Sequence, residues 1–182
     1  MECLCVVPAS CCSPRFVGHT LVLSLATNAL AFEFADLRAQ AVLNIGSRHV
    51  GTSYEFEEFN PGLAVGAFAP VFGGSAEVAS EVGFYRNSLG RTSIYATGSI
   101  DTQVLGNDRT QLRLGAFAGL ANYPDDARKF ADSGVPTLGS VVLIGGAQAT
   151  MRFDDRLDFR VRALPAGNVA DVILTGQIAI RF

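Results

Sequence analysis

Alternation with a period of two runs through most of this chain and leaves few folds open to it. In DVILTGQIAIRF, Val172, Leu174, Ile178, Ile180 and Phe182 fall on one face, and Asp171, Thr175, Gln177 and Arg181 on the other. LDFRVRAL sets Leu157, Phe159, Val161 and Ala163 against Asp158, Arg160 and Arg162. TQLRLGAFAGL sets Leu112, Leu114, Ala116, Ala118 and Leu120 against Gln111, Arg113, Gly115, Phe117 and Gly119. Successive side chains of a β-strand point to opposite sides, so these runs are strands with two unlike faces. Turn signals separate them at Gly73-Gly74-Ser75, Gly106-Asn107-Asp108, Asp154-Asp155 and Pro165-Ala166-Gly167. The pattern predicts eight strands, at about 38 to 49, 60 to 69, 76 to 87, 92 to 103, 110 to 121, 137 to 152, 157 to 164 and 169 to 182.

A soluble barrel or sandwich also alternates, so the sign of the two faces has to separate the cases. One face carries charges of both signs, Glu77, Glu81 and Asp158 against Arg113, Arg160 and Arg181, while the other is aliphatic throughout. In a membrane barrel the aliphatic face meets lipid and the charges pair inside a narrow lumen. Phe182 on the aliphatic face fits this, because outer-membrane barrels commonly finish on an aromatic residue. The expected fold is all-β, an eight-stranded antiparallel transmembrane β-barrel of the cell outer membrane. A soluble lipocalin-like barrel, which needs the aliphatic face inside, is the alternative.

The chain of 182 residues is one domain in size. A formal net charge of −3, with no run of lysine or arginine, argues against a nucleic-acid partner. Cys3, Cys5, Cys11 and Cys12 all precede the apolar segment FVGHTLVLSLATNALA, which ends on Ala29-Leu30-Ala31. That small-x-small ending is what a signal peptidase reads, so residues 1–31 are expected to be a cleaved signal peptide and 32–182 the barrel; a buried N-terminal helix is the alternative. The cysteines lack a second ligand pair at zinc spacing. Beyond residue 31 no stretch of about 18 apolar residues occurs, so nothing there spans a membrane as a helix.

With odd strands climbing from the periplasmic side, the outer turns lie near 50 to 59, 88 to 91, 122 to 136 and 165 to 168. The lower lumen then collects Glu77, Glu81, Arg113, Asp158, Arg160, Gln177 and Arg181, a charged plug. The upper lumen collects Gly62, Ala64, Gly66, Gly83, Tyr85, Phe117, Gly119 and Ile173. These small and apolar residues leave either a cavity for a chain-like apolar ligand or the slack that strand curvature needs in a tight barrel.

The order of several pieces resembles the lipid A palmitoyltransferase family of Gram-negative outer membranes, the PagP type. They are SRHV closing the first strand, FNPGLAVG opening the second, GFYRNSLGRTSIYATGSI across the second outer loop, LRLGAFAGLANYP, and RALPAGNVADVILTGQIAIRF. The resemblance covers most of the chain after residue 31 and implies a barrel that holds one acyl chain inside and moves it from phospholipid to lipid A. The family histidine falls on His49 and the family serine on Ser88. The family aspartate falls on Asn87, a departure, because a neutral amide does not stabilise an imidazolium as a carboxylate does.

The implied catalytic set is His49, Ser88 and Asn87. The substrate-binding set adds Arg86, Arg91, Tyr85, Gly62, Gly66, Gly83, Phe117 and Gly119. Each has a plainer reading: His49 as a strand-end hydrogen-bonder, Ser88 as a turn residue, Tyr85 and Tyr95 as an aromatic girdle, and the arginines as snorkelling cations. Glu57 and Glu58 are the nearby carboxylates that a base would draw on. Asp125, Asp126 and Asp132 form an acidic loop, either solvated or holding a divalent ion. No phosphate-cradling loop or metal-ligand cluster is evident, so no cofactor is implied. The expected partners are phospholipid and lipid A, bound by a monomer. The alternative is a non-catalytic structural or surface barrel.

Overall fold

The computed structural model describes residues 36–52, 55–124, 126–168 and 170–182. The segment read as a signal peptide lies outside the described residues. Among these, the strands are β1 (Arg38–Val50), β2 (Phe59–Val71), β3 (Ala76–Arg86), β4 (Thr92–Gly106), β5 (Thr110–Asn122), a short β6 (Thr137–Leu138), β7 (Val141–Phe153), β8 (Leu157–Pro165) and β9 (Val172–Arg181). A short helix, α1 (Ala127–Asp132), lies between β5 and β6. The long strands pair antiparallel in chain order, β5 pairs directly with β7, and β9 pairs back onto β1. The sheet therefore closes into an eight-stranded antiparallel barrel without a free edge.

The strand expected over 137 to 152 is two elements. Gly139 takes the left-handed conformation (φ +61°), which turns β6 back so that Thr137 and Leu138 pair with Val142 and Val141. β7 alone enters the barrel. At the other end, Asp154 and Asp155 both have positive φ, giving the tight β7–β8 turn the twist that antiparallel strands favour. The barrel thus has a tight-turn end, at 72–75, 107–109 and 154–156, and a long-loop end, at 51–58, 87–91, 123–140 and 166–171.

Leu63, Val65, Phe84, Ile94, Leu120, Val161 and Ile180 point outward and are at least half exposed. Inside, Glu77 and Asp158 bind Arg152, each at 2.8 Å. Arg160 reaches Asp158 at 3.0 Å, Arg162 reaches Glu81 at 2.6 Å, and Arg113 reaches Asp101 at 2.6 Å. Arg181 reaches Glu77 at 2.6 Å and lies over the Phe68 ring, 3.8 Å from its centroid. The faces have the polarity of a membrane barrel, and the soluble lipocalin-like alternative, with its aliphatic lumen, does not hold. All the plug residues expected from the sequence are in this network, joined by Asp101, Arg152, Arg162, Gln40 and Gln148.

Candidate functional site

One irregularity builds the site at the long-loop end. The β1 register shifts between Asn44 and Gly46 against both neighbours: Ile45 is the extra residue of a bulge against β9, where Asn44 pairs with Gln177 and Gly46 with Gly176, whereas against β2 the pairing steps from Gly62 to Phe59 and the extra residue lies on β2. Below it Gln40, Val42 and Asn44 face the lumen. Above it the phase inverts, so Ser47 pairs with Thr175 and His49 with Ile173, both lumenal positions of β9. Ser47 Oγ lies 2.5 Å from Asn60 Oδ1 and 3.2 Å from Ser88 Oγ. Three polar side chains from β1, β2 and the β3–β4 loop thereby meet under the long loops.

They sit at the mouth of a cavity of about 110 Å³, whose walls include Tyr85, Tyr95, Phe117, Ile144, Leu164 and Ile173. Its lower end meets the plug: Arg162 lies over the Phe117 ring at 4.7 Å, Gln177 donates to Asn44 Oδ1, and Asn44 donates to the Tyr95 hydroxyl. The Tyr85 and Tyr123 hydroxyls bond to each other across the cavity wall. Burial raises the Tyr123 phenol above its ordinary value.

A second, larger cavity of about 430 Å³ adjoins the first, with Tyr123, Ile144, Leu164 and Ile173 lining both. Its position follows from the β7–β8 ladder, which runs from Phe153 and Leu157 up to Ala147 and Ala163 and stops. Gly146 allows the final close approach, since a Cβ there would lie 1.9 Å from the Ala163 carbonyl oxygen. Beyond it β7 continues to Val141 without β8, its end pairing instead with β6 and the Leu143 N–H donating to the Pro136 carbonyl, and Pro165 ends β8 with no N–H to offer another rung. The cavity is lined by lumenal Val142, Ile144 and Ile173 and also by outward-facing Ala118, Leu143 and Gly145. A cavity lined from both faces of one strand crosses the barrel wall. Phe130, Val135 and Pro136, from α1 and the segment after it, line its loop side.

The residues singled out in the sequence are distributed as follows. Ser88 lines the smaller cavity, together with Tyr85 and Phe117. His49 faces inward, but its ring stacks on Phe56 (centroids 4.2 Å apart) and its buried Nδ1 has no hydrogen-bond partner. No hydrogen bond joins it to Ser88 among the described residues. Asn87 is buried and holds the β3–β4 turn: Oδ1 accepts from the N–H groups of Leu89 and Arg91, and Nδ2 donates to Ser93 Oγ at 3.0 Å. Arg86 binds the Glu57 carboxylate and Arg91 approaches Asp126 at 3.9 Å, so each has a carboxylate partner in a long loop. Asp126 is also held by Lys129, and Asp125 lies outside the described residues.

Gly62, Gly66, Gly83 and Gly119 do not line the cavity. A Cβ at Gly83 would stand 2.4 Å from the Leu63 carbonyl oxygen and 2.4 Å from Ala64 Cβ, so glycine here allows neighbouring strands to close up. Ser47 and Asn60 were missed from the sequence. Simple alternation from Val42 turns Ser47 outward, and only the bulge reverses it.

No protein-family model and no curated protein matches this chain. Solved structures do. Neisserial surface protein A (NspA) matches at 14% identity over 80% of this chain and 96% of its own, with a TM-score of 0.42. The Yersinia pestis outer membrane protein Ail matches at 11% identity over 80% of this chain and 99% of its own, with a TM-score of 0.41.

Proposed function

We propose that this protein is an outer-membrane barrel that takes a lipid acyl chain sideways from the bilayer into its upper lumen. The carrying observation is the apolar cavity that crosses the wall between β7 and β8 and adjoins the lumenal cavity beneath Ser47 and Ser88. An acyl chain entering there leaves lipid for a surface of similar polarity, while the charge network below keeps the tail from passing through. The smaller cavity alone is below the 150 Å³ or so that holds a benzene molecule, so the chain would occupy both.

The finer reading, implied by the family resemblance, is transfer of that chain from phospholipid to lipid A with Ser88 at the cavity mouth. A non-catalytic barrel is the second reading, favoured by Asn87 holding a turn and by His49 stacking on Phe56. Native mass spectrometry of the refolded barrel with phospholipid should detect one retained lipid, and Ile173→Trp, which fills the junction of the cavities, should abolish it. Unchanged retention in that variant would overturn the chain-binding reading. Lipid A from a palmitoyltransferase-null host expressing the chain tests transfer: a species heavier by one acyl group, absent with Ser88→Ala, supports it. Unmodified lipid A beside a folded barrel supports the second reading.

A further inference from the structure

The hydrogen-bond directions among Asn60, Ser47 and Ser88 follow from valence alone. Asn60 Nδ2 donates to the Glu57 backbone carbonyl at 3.2 Å, and a carbonyl only accepts, so the amide oxygen is the group that faces Ser47. An amide oxygen also only accepts, so Ser47 donates its single hydroxyl proton to Asn60. Ser47 then has only lone pairs to offer Ser88, and Ser88 must be the donor in the 3.2 Å contact between them. Its one proton is thereby committed. What Ser88 presents to the cavity mouth is an acceptor, at the top of mainly apolar walls. The relay ends on an amide, which takes up no proton at neutral pH, so it orients Ser88 rather than deprotonating it.

We infer that the site selects a lipid chain bearing a hydroxyl close to its carboxyl end, with that hydroxyl donating to Ser88 Oγ. This deepens the chain-binding reading above and rests on it. A tail lying in the cavities with its head toward the outer loops brings its first few carbons level with Ser88. A hydroxyl there satisfies the free lone pairs, a bare methylene leaves them without a donor, and a ketone opposes them with lone pairs of its own.

The test uses the refolded full barrel and three saturated fatty acid methyl esters of equal chain length: unsubstituted, 3-hydroxy and 3-oxo. Binding is read by displacement of a fluorescent fatty acid. The wild-type barrel is expected to bind the 3-hydroxy ester about fivefold more tightly than the unsubstituted one, and the 3-oxo ester no better than the unsubstituted one. Ser47→Ala releases the Ser88 proton, so the 3-oxo ester should rise to match the 3-hydroxy ester. Ser88→Ala should make all three alike, and the heat-modifiable gel mobility of each variant verifies folding. A wild-type barrel that binds all three equally, or prefers the 3-oxo ester, overturns this inference while leaving chain binding standing. Binding of none of the three overturns both.

Discussion

The two halves of the lumen are built from the same strands yet solved in opposite ways. In the tight-turn half, arginines and carboxylates from β3, β4, β5, β7, β8 and β9 fill the space, and Asp158, with no exposed surface, meets both Arg152 and Arg160. In the long-loop half the walls are aromatic and aliphatic with neutral polar groups among them, such as Asn44, Thr97, Thr175 and Gln177, and β7 parts from β8 above Gly146 to pair with β6. Charges buried away from water persist only where each finds a partner, so the lower half tolerates no vacancy. Apolar walls carry no such obligation, so the upper half can remain open to a guest.

Substitutions should separate the halves by size of effect. Asp158→Ala takes a fully buried carboxylate from two buried guanidiniums, leaving Arg152 on Glu77 and Arg160 on Glu81 and Gln40, and should cost about 3 kcal/mol in urea unfolding of the micelle-bound barrel. A loss below about 1 kcal/mol would mean that water enters the plug. Gly83→Val, which drives a side chain against the Leu63 carbonyl and Ala64, should cost about 1–3 kcal/mol in the same assay. Asn87→Ala removes the acceptor that holds two turn N–H groups and should cost about 1–2 kcal/mol, whereas Asn87→Asp keeps that acceptor and should cost less. Equal losses for the two would show that the turn does not depend on Oδ1. Glu57→Gln weakens a half-exposed ion pair with Arg86 and should lower stability by about 1 kcal/mol or less, an effect that salt reduces. Ser88→Ala should be smallest, about 0.5 kcal/mol, the low end for losing one long, partly buried hydrogen bond. It would sharpen the contrast by changing what the upper lumen binds while leaving the barrel's midpoint nearly in place.

The barrel itself was legible because its evidence is periodic. An apolar side chain every second residue, over several strands, specifies which face meets lipid, and opposite charges on the other face specify a filled lumen. Glu77, Glu81, Arg113, Asp158, Arg160 and Arg181 therefore fall in the lumen from the sequence pattern alone. Alternation puts Tyr85 and Phe117 in the upper lumen and the resemblance points to Ser88, and all three line the smaller cavity. Asn87 was read for chemistry, but the position of its amide in the turn depends on the folding of the following residues and has no signature in a single letter.

Strand content, face polarity and the makeup of the charged plug were thus determined by local sequence, because side-chain alternation is a property of each strand alone. Where a strand slips by one residue, and where one ladder ends before its neighbour, depend on pairing between segments distant in the chain. The Ile45 bulge turns Ser47 and His49 inward against the phase of the residues before them. The early end of the β7–β8 ladder parts the two strands above Gly146. Both were decided only by the closed barrel, in which each strand must satisfy two neighbours at once.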